Sequence, residues 1–267
     1  MSEGKFSFSK LDSFHNCKRS YYYTYILHNR SGDNIYSFLG TIVHELVEKL
    51  EQDLITKEQS VDEFIDAVDD ADMLGLEWIS DKVKTNFVDC ITHYLENFEH
   101  QKYDEIHIED YFEVDILDIT IRGYIDKWYR IGDDIFIMDY KTSSKFSAKD
   151  LLKKQRQLLI YARALEDKYP KCNIYLCFNM LKYAYQNGKL TERNKLNILE
   201  DFEDGIIKIK YTPELKLDLD EYVAGTTTEI DGLDQTKKYQ WSMSYNPHVD
   251  FFCKNLCGYR DKCLNCE

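Results

Sequence analysis

Apolar positions recur with two different periods along this chain, and the switch between them divides it. From Ile35 to Asp53, the residues Leu39, Val43, Leu46 and Leu50 fall on one stripe of a 3.6-residue helix. Val61–Asp72 and Trp78–His100 repeat that pattern, the second with Val83, Phe87, Ile91, Tyr94, Leu95 and Phe98. Upstream, Ser9 is placed to cap a short helix running into Asn16, and the aromatic-rich Lys18–Leu27 reads as its continuation. The period then falls to two, which predicts strands over roughly Glu105–Asp115, Ile119–Arg130 and Ile135–Lys141. A long helix follows over Ala148–Tyr169, with Leu151, Leu152, Leu158, Leu159, Ala162 and Leu165 inward, and then a strand over Cys172–Leu181. Charges and turn residues alternate from about Asn187 to Lys238 and predict no firm element. Asp250–Glu267 is dense in Cys and short of periodicity. Helices, strands, a helix and a strand in that order predict a mixed α/β domain.

The two strands around Gly132-Asp133 carry the first candidate chemistry. A two-residue Gly-x loop closes a hairpin, and in that register Asp126 lies opposite Asp139, both equally far from the turn. Cross-strand partners sit about 5 Å apart on one face, so two like charges there need something positive between them. Lys141 points to the same face as Asp139, with Ile135 and Ile137 behind them; Phe136, Met138 and Tyr140 take the other. Two carboxylates and a lysine on one strand face suit a divalent-metal site and phosphodiester hydrolysis. The bland alternative is a solvated strand end with one ion pair.

Three further clusters stand out. His44, in Gly40-Thr-Ile-Val-His44-Glu, flanks the apolar stripe of its helix, with Gly40 one turn earlier leaving room for a neighbour; it is a metal ligand or a boundary histidine. Gln157 and Tyr161 share a helix face, beside a ridge of Lys145, Lys149, Lys153, Lys154 and Arg156 that would grip phosphates or face water. Cys253, Cys257, Cys263 and Cys266 crowd the last residues and Cys17 stands alone near the start. Four thiolates suit tetrahedral zinc or an iron–sulfur cluster, and spacing does not choose between them. Cys90, Cys172 and Cys177 sit in apolar patterns as core thiols.

Composition modifies this picture only slightly. The net charge of −14 argues against a general nucleic-acid coat while leaving room for a local basic channel. The first residues carry no apolar signal segment and no apolar run approaches ~18 residues, which predicts a cytoplasmic chain without a membrane span. In that compartment the 8 Cys are thiols or ligands rather than disulfides.

These elements, in this order, resemble the RecB/AddB-like branch of the PD-(D/E)XK nuclease superfamily, including its iron–sulfur members and their CRISPR-associated and phage exonuclease relatives. The resemblance rests on Ser9-Lys-Leu-Asp-Ser-Phe-His-Asn-Cys17 followed by aromatics, Gly40-Thr-Ile-Val-His44-Glu, Gly123-Tyr-Ile-Asp126, Asp139-Tyr-Lys141-Thr, Gln157-Leu-Leu-Ile-Tyr161 and the C-terminal cysteines. It implies an α/β restriction-endonuclease-like core, a central mixed sheet flanked by helices, with a helical N-terminal part and a Cys-rich C-terminal cluster segment. The implied layout is one nuclease domain over 1–267: helical to about 104, core 105–186, a variable insertion 187–245, and a cluster segment 246–267 that pairs with Cys17.

The resemblance also implies roles. His44, Asp126, Asp139 and the carbonyl of Tyr140 would hold Mg²⁺ or Mn²⁺, Lys141 would complete the catalytic set with the two aspartates, and Glu113 would add a carboxylate. Gln157 and Tyr161 would contact DNA. Cys17, Cys253, Cys257 and Cys263 would bind a [4Fe–4S] cluster, or zinc in its place. The Cys253–Cys257 gap is one residue longer than the family's usual spacing, and Cys266 competes for the fourth place. The implied activity is metal-dependent DNA hydrolysis, as an exonuclease in recombination, repair or mobile-element processing, with a helicase or recombination protein as partner. A CRISPR-associated spacer-processing nuclease and a non-catalytic DNA-binding scaffold are the alternatives. No phosphate-loop motif is present, so the implied module has no motor of its own.

Overall fold

The structure, a computed structural model, describes residues 6–265. Among these residues the strands form one six-stranded mixed sheet, in the order β1 (Glu105–Ile116), β2 (Ile119–Ile131), β3 (Asp134–Lys141), β4 (Asn173–Gln186) and β5 (Lys189–Glu192), with β6 (Glu203–Lys210) also pairing β4. The β2–β3 hairpin closes at Ile131↔Asp134 around Gly132, whose φ of +58° is the left-handed value that a glycine loop supplies. β3 runs parallel to β4 through α6 (Ala148–Glu166), which a capping box at Ser147 and Asp150 starts cleanly.

Helices cover both faces, so β3 is buried on each side, as its unbroken apolar run requires. On one face lie α6, α1 (Phe8–Asn16), α2 (Lys18–Tyr21) and α7 (Pro213–Asp231), over a core that takes Ile135 and Ile137. On the other lie α3 (Ile35–Glu51), α4 (Lys57–Met73) and α5 (Asp81–Glu96), over a core that takes Phe136, Met138 and Tyr140. The two faces of β3 are thus the ones its alternation predicts.

Several boundaries move. The α1 cap is Ser7 rather than Ser9, with Ser7 accepting from the Lys10 amide. Lys18–Leu27 is not one α-helix: after Tyr21 it widens into a π-helical turn over Tyr22–Ile26, which turns Tyr22 and Tyr23 into the core. Leu152 is expected inward and is 62 % exposed: it shares a stripe with the buried Gln155 and Leu159 but sits near the start of α6, where it lines an open groove. The stretch 187–245 supplies β5, β6 and α7. Alternating charge hid β6, an edge strand whose outer positions are solvated.

The C-terminal stretch folds back on the chain's beginning. Trp241 is fully buried, stacked on Tyr21 at 5.6 Å, and its carbonyl accepts from Arg19 Nε at 2.7 Å. The Tyr259 hydroxyl donates to the Asn29 carbonyl at 2.7 Å, and Asn34 Nδ2 donates to the Leu256 carbonyl at 3.1 Å. A Cβ at Gly258 would collide with Ser31 Oγ and come within 2.6 Å of the Gly32 nitrogen. Only glycine allows that approach.

Candidate active site

The site forms where β2 leaves β3. Their pairing runs to Lys127↔Met138 and stops, so Asp126 and Asp139 occupy the next register position without a ladder bond between them. The β1–β2 ladder also skips this point: Ile108 pairs Lys127 and Asp110 pairs Ile125, and Glu109 between them has φ +50°. Ile125 and Trp128 both enter the core beneath α6, while Tyr129 enters the other core. Strict alternation therefore breaks between residues 125 and 128, and Asp126 sits in the break, turned into the notch.

The two carboxyls differ in setting. Asp139 is 1 % exposed as a side chain and lies 2.7 Å from Lys141 Nζ. Its Oδ1 accepts the lysine's hydrogen bond at 2.9 Å, and its buried Oδ2 is the atom 2.7 Å from the same ammonium. Asp126 is pushed up to about 7, first by burial and then by the charge of Asp139, against the pull of Lys141. His44, on α3, brings Nδ1 to 3.7 Å from Asp126 Oδ2, and its ring meets the Tyr140 ring edge-on. Burial lowers its pKa, with Asp139 working against that and Lys141 with it; the neutral ring is the form that ligates metals. Gly40, one turn before, faces Thr142 at ordinary contact distance: a Cβ there would stand 3.6 Å from Oγ1.

A cavity of about 340 Å³ opens beside these groups, lined by His44, Glu45, Glu48, Glu109, Asp126 and Tyr140 among others. Glu48 lies one helical turn after His44, so their spacing alone marks it. Glu109 carries no such signal, because its placement depends on the break in β1. It, rather than Glu113, is the further carboxylate near Asp126: its charge helps raise Asp126, whereas Glu113 pairs with Arg122 further along the strand and accepts from Tyr111.

Gln157 and Tyr161 lie beside the notch. Gln157 Nε2 donates to the Tyr161 hydroxyl at 2.9 Å, and the buried Tyr161 ring meets Phe112 edge-on. Burial raises the Tyr161 pKa, as do the charges of Asp126 and Asp139. On the basic ridge, Lys145, Lys149, Lys153 and Lys154 are exposed. Arg156 is half-buried, its guanidinium 4.0 Å over the Tyr222 ring.

The cysteines at the two ends also meet. Burial raises the Cys253 thiol, then Cys257 and Cys17 raise it further; Cys257 is raised by burial and by Cys17. Cys253 lies on α8 (Phe251–Asn255), and Cys263 on α9 (Arg260–Leu264), packed against the core on the α6 side. Cys266 lies outside the described residues. Among the described residues no group of three or more His, Cys, Asp or Glu side chains is gathered tightly enough to hold a metal ion. None of their helices is long and apolar enough to cross a membrane.

A family model described as the PD-(D/E)XK nuclease superfamily matches residues 5–264. The chain belongs to that superfamily. Its central mixed sheet flanked by helices is the nuclease fold, and the notch between β2 and β3 lies within the matched span. The chain is also similar to the crystal structure of a "Putative exonuclease" from Eubacterium rectale, at 12 % identity over 94 % of this chain and 87 % of that one, with a TM-score of 0.48. No curated protein matches the chain.

Proposed function

We propose that this superfamily member is a metal-dependent deoxyribonuclease of the RecB/AddB-like branch, acting as an exonuclease through Asp126, Asp139, Lys141 and His44. One observation carries the reading: two carboxyls, a lysine and a neutral histidine adjoin at the single point where β2 leaves β3. The donor types suit Mg²⁺ or Mn²⁺, and His44, Asp126 and Asp139 would draw in around the ion, since as they stand they are not gathered tightly enough to hold one. Asp126, raised by burial and by the Asp139 charge beside it, would be relieved by a cation at the notch. Carboxylates, an imidazole and the Tyr140 carbonyl make an oxygen-rich set suited to a hard ion. When bound, the ion makes water more acidic and neutralises phosphate charge.

The chain's own groups do the rest. Asp139 holds the Lys141 ammonium at the notch, where it orients the attacking water and stabilises charge developing on the phosphoryl oxygens. Gln157, steadied by the Tyr161 hydroxyl, presents an amide for a DNA strand entering beside the site. Asp139→Ala or Lys141→Ala should cut turnover on end-labelled DNA by at least ~100-fold with the fold retained. Wild-type cleavage by either folded variant overturns the assignment, and a wild-type protein that binds DNA with Mn²⁺ but never cuts it is a scaffold.

The same reading extends to the chain ends, as parts of one nuclease domain. Cys17, Cys253 and Cys257, with Cys263 as the fourth ligand, are proposed to bind a [4Fe–4S] cluster. The closeness of the three thiols supports it: Cys253 is raised by burial and then by Cys257 and Cys17, and Cys257 by burial and then by Cys17, and thiolates packed this way require a cation among them.

A further inference from the structure

α3 keeps its backbone against α4 and reaches the sheet by side chains. Most of these are apolar: Val43, Leu46, Val47 and Leu50 share a core with Tyr129, Met138 and Tyr140. Apolar contact is non-directional. It holds the helix down without deciding how far His44 stands from the carboxyls on β2 and β3.

A polar group with direction sits two turns beyond His44. Glu51 Oε1 accepts from Lys127 Nζ and, at 2.9 Å, from the Tyr140 hydroxyl. The Glu51 and Lys127 side chains are 5 % and 4 % exposed, and Tyr140 is 6 % exposed. Lys127 follows Asp126 in the chain; Tyr140 stands between Asp139 and Lys141. The Tyr140 ring also meets His44 edge-on at 6.2 Å. One carboxylate thus ties the histidine's helix to both strands, each time one residue from a site aspartate.

We propose that Glu51, Lys127 and Tyr140 are positioning residues, a buried clasp that holds His44 at its working distance from Asp126 and Asp139. The proposal rests on reading the notch as a metal site. Hydrogen bonds of this kind tolerate only a few tenths of an ångström. A buried ammonium or carboxylate stripped of its partner is strongly disfavoured. Any slide of α3 that widens the gap between His44 and Asp126 has to break the clasp first. Groups that orient metal ligands without touching the ion have large effects on affinity for this reason.

The test is Mn²⁺ affinity by titration calorimetry on the full chain, beside the melting temperature of the metal-free protein. Tyr140→Phe leaves the ion pair in place and should weaken Mn²⁺ binding severalfold with melting near wild type. The double variant Glu51→Leu with Lys127→Met removes both charges together, a replacement that buried pairs tolerate. It should fold and bind Mn²⁺ about 10–100-fold more weakly. A merely structural role would move melting and leave affinity alone. Wild-type affinity in the folded double variant overturns the clasp and leaves the metal site standing. Wild-type protein that takes up no Mn²⁺ lost on Asp139→Ala overturns the metal-site reading itself, and the clasp with it.

Discussion

Asp126 and Asp139 are the same residue type with opposite settings. Asp139 has an ammonium 2.7 Å away; Asp126 has a neutral histidine, the Asp139 charge and an outlying Glu109. Its folded pKa of about 7 stands above the unfolded value of 3.8, so folding binds a proton there. That contribution to the stability of the metal-free protein is complete below about pH 4 and is lost as pH rises to about 7. Asp126→Asn should remove this slope from the melting temperature between those limits; an unchanged slope assigns it elsewhere. Mn²⁺ must displace the same proton, so its affinity should rise by about one decade per pH unit below pH 7 and level off above. An affinity flat across that range sinks the idea that Asp126 is a ligand.

At the scale of elements, the molecule depends on what docks where. The apolar stripes on α3 and α5 and the two faces of β3 were legible because each has a regular period that burial then uses. The 187–238 stretch was opaque because β6 is an edge strand with solvated positions, and α7 buries few apolar side chains. Trp241 shows the same limit: nothing around it in sequence forms a core, yet it stacks on Tyr21 and meets Phe14 and Tyr22. Trp241→Ala should cost about 3–5 kcal/mol in denaturant unfolding. A cost near zero means that the C-terminal stretch contributes nothing to holding α1 and α2.

The whole molecule is acidic, with a net charge of −14, yet Lys145, Lys149, Lys153 and Lys154 lead along and into the helix that carries Gln157 to the notch. Replacing Lys149, Lys153 and Lys154 together, in an Asp139→Ala background, should flatten the salt dependence of DNA affinity by about two to three units of logarithmic slope. An unchanged slope places the DNA path elsewhere. The cluster proposed to join the chain ends is tested at this scale too. Protein purified without oxygen should be brown with about four irons per chain, and Cys17→Ser should lose the iron and melt lower because two distant segments are released. One zinc and no iron would reject the cluster and keep the join. Full metal retention in Cys17→Ser would reject Cys17 as a ligand.

The sequence alone carries the chemical inventory and the local geometry: which helices are amphipathic, where the Gly132 hairpin turns, and that Asp126 and Asp139 share a register. Those features follow from spacing along the chain, and spacing is local. Only the folded molecule decides that β2 departs from β3 at Asp126, that Glu109 rather than Glu113 stands nearby, that Arg156 is held over Tyr222, and that Glu51 reaches Lys127 and Tyr140. Each of these depends on groups far apart in sequence meeting at a break in regular structure. A period cannot encode a break, because burial and charge there are set by neighbours that the local pattern never names.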